Sequence, residues 1–278
     1  MKQAQSFTEG RIFGPLIRFA LPVLMAIFLQ TMYGAVDLLV VGQFGTAADV
    51  SAVSTGSQLM HTVTVAITGL AMGLTVFVGR EIGSGQREKA GQIIGNGMWL
   101  FGVLAAILTV VLVLSTPTLA GVMQAPAEAF DKTAAYIRIC SAGTIFIVAY
   151  NLVGSIFRGI GDSKVPLITV AIACVLNIAG DLLLVAGFRM GTAGAAIATV
   201  FAQAVSVLLS LLIIRKRQLP FSFSRKSIRP QAAYMKETLK LGVPIALQDL
   251  LVTISFLVII AIVNTLGVIV SAGRGEAE

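Results

Sequence analysis

Charge is what this sequence has least of. Asp, Glu, Lys and Arg make up 12% of its 278 residues, against about 25% in soluble domains. So few polar side chains cannot coat a water-exposed surface, which excludes a soluble globular domain. Histidine occurs once and cysteine twice, and no metal-ligand spacing appears. His61, Cys140 and Cys174 all fall in apolar stretches, where packing is the expected role and no redox compartment can be read. Alternating strands of about ten residues, the mark of a membrane barrel, are missing as well. What is abundant is apolar: AVILMFWYC reach 56% and the mean hydropathy is +0.92. The 28 glycines fit this setting, because glycine is frequent in membrane helices. The expected fold class is all-α, a polytopic helical bundle whose main solvent is lipid.

Uncharged runs place the spans. They cover 19–36, 50–79, 90–127, 139–157, 165–180, 190–214 and 250–273. Each is near or above the ~20 residues that cross a bilayer as a helix. Seven spans are expected, centred near residues 28, 64, 102, 146, 175, 203 and 256. The third run is long enough to hold a span plus a break at Thr116-Pro117-Thr118. A basic start followed by an apolar run resembles a signal peptide, but Asp37 within it argues for a retained first helix.

A formal charge of +7 invites a nucleic-acid reading, and the position of the cations opposes it. Lys2, Arg11 and Arg18 precede span one. Arg80, Arg87 and Lys89 separate spans two and three, while Arg158 and Lys164 separate four and five. The tract 215–240 carries eight more, so sixteen of twenty basic residues share one side. That side is cytoplasmic by the positive-inside rule. The expectation is a multi-pass inner (plasma) membrane protein with its N-terminus in the cytoplasm and no nucleic-acid partner. The basic tract would touch anionic lipid.

After that tract the chain starts again. A shift of 222 residues places Arg18 on Lys240, Pro22 on Pro244 and Gly45 on Gly267. Transporters are often built from repeated helical halves. The expected organisation is a six-helix lobe over 1–217, a basic linker over 218–240, and the first helix of a second lobe over 241–278.

A carboxylate at the bilayer centre costs ~2.5–3.5 kcal/mol on insertion scales, so each one calls for a reason. Asp37 lies late in span one and Asp181 late in span five, at similar depth. Asn177 stands four residues before Asp181, on the same helical face. Thr199 and Tyr136 add hydroxyls in the outer half, and Asn151 lies nearer the cytoplasm. These oxygens could hold a hard monovalent cation. A pair of carboxylates in an apolar setting can instead take up and release a proton. Helix-to-helix hydrogen bonding serves equally well for Asn151, Tyr136 and Thr199 taken singly. Asp249, nearer the inner end of span seven, fits a cavity contact or a satisfied interface carboxylate. Arg138 can snorkel to the outer surface.

The segment Phe157-Arg158-Gly159-Ile160-Gly161-Asp162-Ser163-Lys164-Val165-Pro166-Leu167, followed by Asn177 and Gly180-Asp181, resembles the hallmark of the multidrug and toxic compound extrusion (MATE) transporters. Pro22, Val36-Asp37, Gly83-Ser84-Gly85 and Gly191-Thr192-Ala193-Gly194-Ala195-Ala196 agree with it. The resemblance covers residues 7 to 270. It implies a cation-coupled antiporter, driven by H⁺ or Na⁺, that exports small organic cations and is not an enzyme. Asp37, Asn177, Asp181 and Thr199 would form the coupling site, with no cofactor beyond a possible coupling Na⁺. Tyr136, Asn151 and Gln30 would line the cavity, and Pro22 would be the bend point of helix one. Val252 stands where the NorM branch carries a glutamate, so the chain looks closer to the DinF-like branch. Twelve helices are usual in the family, which implies a chain cut after its seventh. Such a lobe would need the missing lobe or associate with itself.

Two other functions fit parts of the pattern. Gly159-Ile160-Gly161-Asp162 matches the Gly-x-Gly-Asp of intramembrane aspartyl proteases, but Arg158 and Lys164 put it at the membrane boundary. A lipid-linked sugar flippase of the same superfamily would need an arginine-rich cavity. The spans contain no Arg or Lys beyond Arg138 on this reading, which favours cationic cargo.

Overall fold

In the computed structural model, residues 13–216 and 227–265 are described, with side chains as far as Ser255. Lys2, Arg11, residues 217–226 of the basic tract and the charged residues after Gly273 lie outside the described residues. The apolar runs become helices: α1 Phe13–Phe44, α2 Ala47–Gly83, α3 Arg87–Leu114, α4 Thr116–Val122, α5 Phe130–Ala142, α6 Thr144–Gly159, α7 Lys164–Asp181, α8 Gly191–Lys216 and α9 Ala232–Thr265. Six helices are long and apolar enough to span a bilayer, and α5 with α6 makes a seventh when their 48° bend is taken within one span. The break expected at Thr116-Pro117-Thr118 is there: α3 ends at Leu114 and Pro117 opens α4, where a missing N–H costs nothing. Helix α9 begins at Ala232, so the end of the 218–240 tract is helical. Pro22 and Pro244 both sit inside continuous helices.

Small residues set how the helices pack. A Cβ on Gly73 would lie 2.5 Å from Gly242 N, and one on Gly242 would lie 2.6 Å from Leu70 O. Only glycine permits that approach, and it lets α9 lie flush along α2. The start of α9 is also tied by polar contacts. Asn96 donates to the Arg229 carbonyl at 2.9 Å, and Tyr234 donates to Gln92 at 3.1 Å. Helix α1 packs chiefly along α7, and most of its remaining surface, including Leu21, Leu24 and Phe28, is exposed apolar side chain. The core proper runs down α2, α3 and α6, through Ile67, Leu74, Ile93, Phe101, Val148 and Phe157.

Each end of α2 is held by a buried carboxylate. At its start Thr46 and Asp49 form a reciprocal capping box. Asp49 further accepts Lys132 Nζ of α5 at 2.9 Å and the Thr192 hydroxyl of α8 at 2.7 Å. At its end Glu81, only 2% exposed, receives Lys89 Nζ of α3 at 3.0 Å. The cluster at Asp49 therefore ties three spans together at the end of the bundle opposite the basic loops.

Candidate functional site

Three helices deliver the polar centre. Asp37 comes from α1, Asn177 and Asp181 from α7, and Thr199 from α8. Helix α7 can approach α8 closely because Gly180 faces Ala198, where a second Cβ would lie 2.9 Å away. Asp37, Asn177 and Asp181 are all buried. The two carboxyl groups sit close enough to interact directly. Asn177 donates Nδ2 to Thr199 Oγ1 at 3.3 Å, which fixes the amide and leaves its Oδ1 free to accept. Asp37 Oδ1, Asn177 Oδ1 and both Asp181 oxygens are buried with no hydrogen-bond partner.

Such orphans are unusual, because more than about nine buried polar groups in ten find a partner. Four unpartnered acceptor oxygens describe a place for a cation or for protons. Hard monovalent cations are held by oxygen ligands of this kind. A proton shared between the carboxyl groups would relieve the same deficit. Immediately after Asp181 the chain makes a π-helical turn, Leu182–Gly187. Such turns interrupt the regular ladder and often occur at functional sites.

Tyr136 belongs to this neighbourhood. Its ring lies over Gly56 of α2, where any Cβ would collide with it, and the buried hydroxyl is electrostatically close to Asp37 and Cys140. Asn151 does not reach it. Its Oδ1 accepts the Thr68 hydroxyl at 2.8 Å and its Nδ2 donates to the Ile147 carbonyl, so it joins α6 to α2. Gln30 is exposed and donates Nε2 to the Tyr150 hydroxyl at 3.1 Å, joining α1 to α6. Asp249 is half-buried on α9, and Asp162 accepts the N–H groups of Lys164 and Val165 at the start of α7. Cys140 and Cys174 are free and buried.

Sequence reasoning missed several residues. Tyr33, one turn before Asp37, meets the amide of Gln203 and is electrostatically close to Asp37. Gln203 stands four residues after Thr199, and its Oε1 is a further buried acceptor with no partner. Helical spacing from Asp37 and Thr199 was the available signal. Two expectations are corrected. His61 is exposed on α2 rather than packed. Arg158 is not a loop cation: it lies within α6, and its Nε and Nη2 are buried. The side chain runs back along its own helix toward Gly154, as helical geometry directs long side chains.

Residues 22–183 match the MatE family model. The chain is 28% identical to the probable multidrug resistance protein YpnP of Bacillus subtilis, over 99% of this chain and 62% of that protein. It is also 28% identical to the probable multidrug resistance protein NorM of Thermotoga maritima, over 84% of this chain and 51% of that one. Among solved structures, a MOP superfamily transporter from Pyrococcus furiosus superposes with a TM-score of 0.90 at 24% identity, covering all of this chain and 61% of that one. An outward-facing MATE family transporter gives 0.88 at the same identity. This chain spans about six tenths of the length of YpnP. Matched over more than half its length by the family model, this multi-pass helical membrane protein belongs to the MatE family.

Proposed function

We propose that this chain supplies the coupling lobe of an exporter of small organic compounds, cationic in charge, driven by inward movement of H⁺ or Na⁺. The observation that carries this reading is the set of unpartnered buried oxygens on Asp37, Asn177 and Asp181. A site made of acceptors alone gains from a cation or a proton, and loses that occupant to a competing positive charge. Cargo and coupling ion then exclude one another, which is the thermodynamic requirement of antiport. The multidrug names of YpnP and NorM support the cargo class. In this reading Thr199 orients Asn177, while Tyr136, Asn151 and Gln30 line the route. Pro22 is the position at which α1 can change its path. The N-terminus and the basic loops face the cytoplasm, in the plasma membrane.

The test is linkage in the purified protein. Tetraphenylphosphonium is titrated into nanodiscs in buffers of different ionisation enthalpy, with and without NaCl. The reading expects cation binding to release protons or to be weakened by Na⁺, and expects Asp181→Asn to abolish that dependence. Tetraphenylphosphonium binding that is indifferent to both ions would overturn it.

A further inference from the structure

Arg158 sits in the last turn of α6, at the end of the bundle that carries the basic loops. An arginine so placed would ordinarily extend toward water or lipid headgroups. This one folds the other way. A Cβ on Gly154 would lie 3.6 Å from Nη1 and 3.8 Å from Nη2, so the guanidinium rests over the glycine one turn back, toward the bundle interior. Nε and Nη2 are both buried and neither has a hydrogen-bond partner. No ion pair among the described residues includes Arg158. Its electrostatic neighbour is Tyr150, whose hydroxyl accepts from Gln30 and so retains its own proton to donate.

These two nitrogens are not an arbitrary pair. Nε–H and one Nη–H form the side-on edge of the guanidinium, the fork that grips two oxygens of a carboxylate or phosphate at once. Arg158 is half-buried as a whole, but these two donors are shielded from water with no counter-charge, which is unfavourable for a cation. The lobe leaves that fork edge without a partner. The polarity is opposite to that of the Asp37 and Asp181 site, whose unpartnered atoms are all acceptors.

We infer that the Nε/Nη2 edge of Arg158, within electrostatic reach of Tyr150, is a binding subsite for a singly or doubly charged oxyanion group, a carboxylate, sulfonate or phosphate. The group arrives either on a cargo molecule or as a lipid phosphate. The first source rests on the exporter reading and would extend its cargo from cations to compounds that also carry an oxyanion group. The second source does not depend on that reading.

Benzenesulfonate and inorganic phosphate are titrated by calorimetry into the 278-residue protein in phosphatidylcholine nanodiscs, and again with phosphatidylglycerol added. Saturable binding of at least one anion is expected, weakened tenfold or more by Arg158→Gln. Arg158→Lys keeps the charge but loses the fork, and should also weaken binding, which keeps the test valid if the glutamine variant does not fold. Tyr150→Phe should weaken it a few-fold. If phosphatidylglycerol competes with the free anion, and does so only when Arg158 is present, the lipid is the source. If it does not compete, the free anion is. Absence of anion binding in both lipids, or equal binding by the wild type and both Arg158 variants, would sink the inference. Tetraphenylphosphonium-linked proton or Na⁺ release, measured on the same samples, reports separately on the exporter reading.

Discussion

Asn177 gives its Nδ2 to Thr199 Oγ1 at 3.3 Å and keeps its own carbonyl oxygen buried and unpartnered. One hydrogen bond between α7 and α8 thus decides which face of the amide the site sees. Thr199→Val removes the acceptor at nearly constant volume and lets the amide turn. The expected outcome is a site that still folds but couples more weakly, with Na⁺ or proton linkage reduced a few-fold. Thr199→Ser should restore it. Equal linkage in all three proteins would show that the orientation does not matter.

Asp37→Asn and Asp181→Asn remove charge without removing volume. Each relieves the crowding of two buried carboxylates, so thermal stability should not fall and can rise. Linkage between tetraphenylphosphonium and the coupling ion should fall at least tenfold in each. At the matching positions of a full-length family member, both changes should stop gradient-driven export while expression persists. Wild-type export in both variants would refute the coupling role.

Most of this architecture was legible in the sequence because lipid imposes simple rules. Spans must be long and uncharged, so the runs around α1, α2, α3, α7 and α8 stood out, and Pro117 marked the break after α3. Asp37 and Asp181 stood out for the same reason, as charges where charge is costly. Asp49 and Glu81 did not, because a carboxylate at a span boundary is ordinary until the structure places Lys132, Thr192 and Lys89 around it. Tyr33 and Gln203 are uncharged and lie inside spans, so only their three-dimensional neighbours distinguish them. Arg158 was read as a topology signal, because its direction along α6 depends on Gly154 and cannot be seen in a list of residues.

The Asp49 cluster predicts stability rather than activity. Asp49→Ala removes the cap of α2 and leaves Lys132 and the Thr192 hydroxyl without their shared partner. A loss of about 2–4 kcal/mol is expected from a cap and a buried ion pair together. Lys132→Met should cost much less, about 1 kcal/mol or under, since that side chain is 40% exposed and an exposed partner is screened by water. Thermal midpoints in detergent would order the two. A larger loss for Lys132→Met contradicts this account of the cluster.

Close packing of α9 on α2 depends on Gly73 and Gly242. Gly73→Val inserts carbon where backbone atoms now stand, at an expected cost of about 1–3 kcal/mol. The helix should also separate locally, broadening the distance distribution between spin labels on His61 and Leu251. Both residues are outside the core, so the labels themselves should be tolerated. An unchanged distribution and midpoint would mean that α9 is held elsewhere, through Asn96 and Tyr234.

Basic-residue asymmetry, sixteen cations against four, predicts a cytoplasmic N-terminus. A cysteine introduced at Ser224 should therefore resist an impermeant maleimide added outside intact cells and react once the membrane is opened. Labelling from outside would reverse the topology and place the Arg158 end of the bundle at the outer surface.

Under the 222-residue shift Asp37 falls on Ile259, so the carboxylate of helix one has no counterpart in the second repeat. On the proposed reading coupling resides in the helices before α9, whereas alternating access in transporters of this design comes from one lobe rocking against another. The 278-residue polypeptide carries one such lobe and one further helix, about six tenths of the length of YpnP. In proteoliposomes it should bind Na⁺ or protons weakly and move no tetraphenylphosphonium under a gradient. The half-buried and exposed polar groups Gln30 and Asp249 would have no facing lobe, which favours association between copies because lipid cannot satisfy them. Crosslinking in nanodiscs should accordingly give dimers at a fraction that falls as the lipid-to-protein ratio rises. Robust gradient-driven uptake by a preparation shown to be monomeric would establish that seven helices suffice.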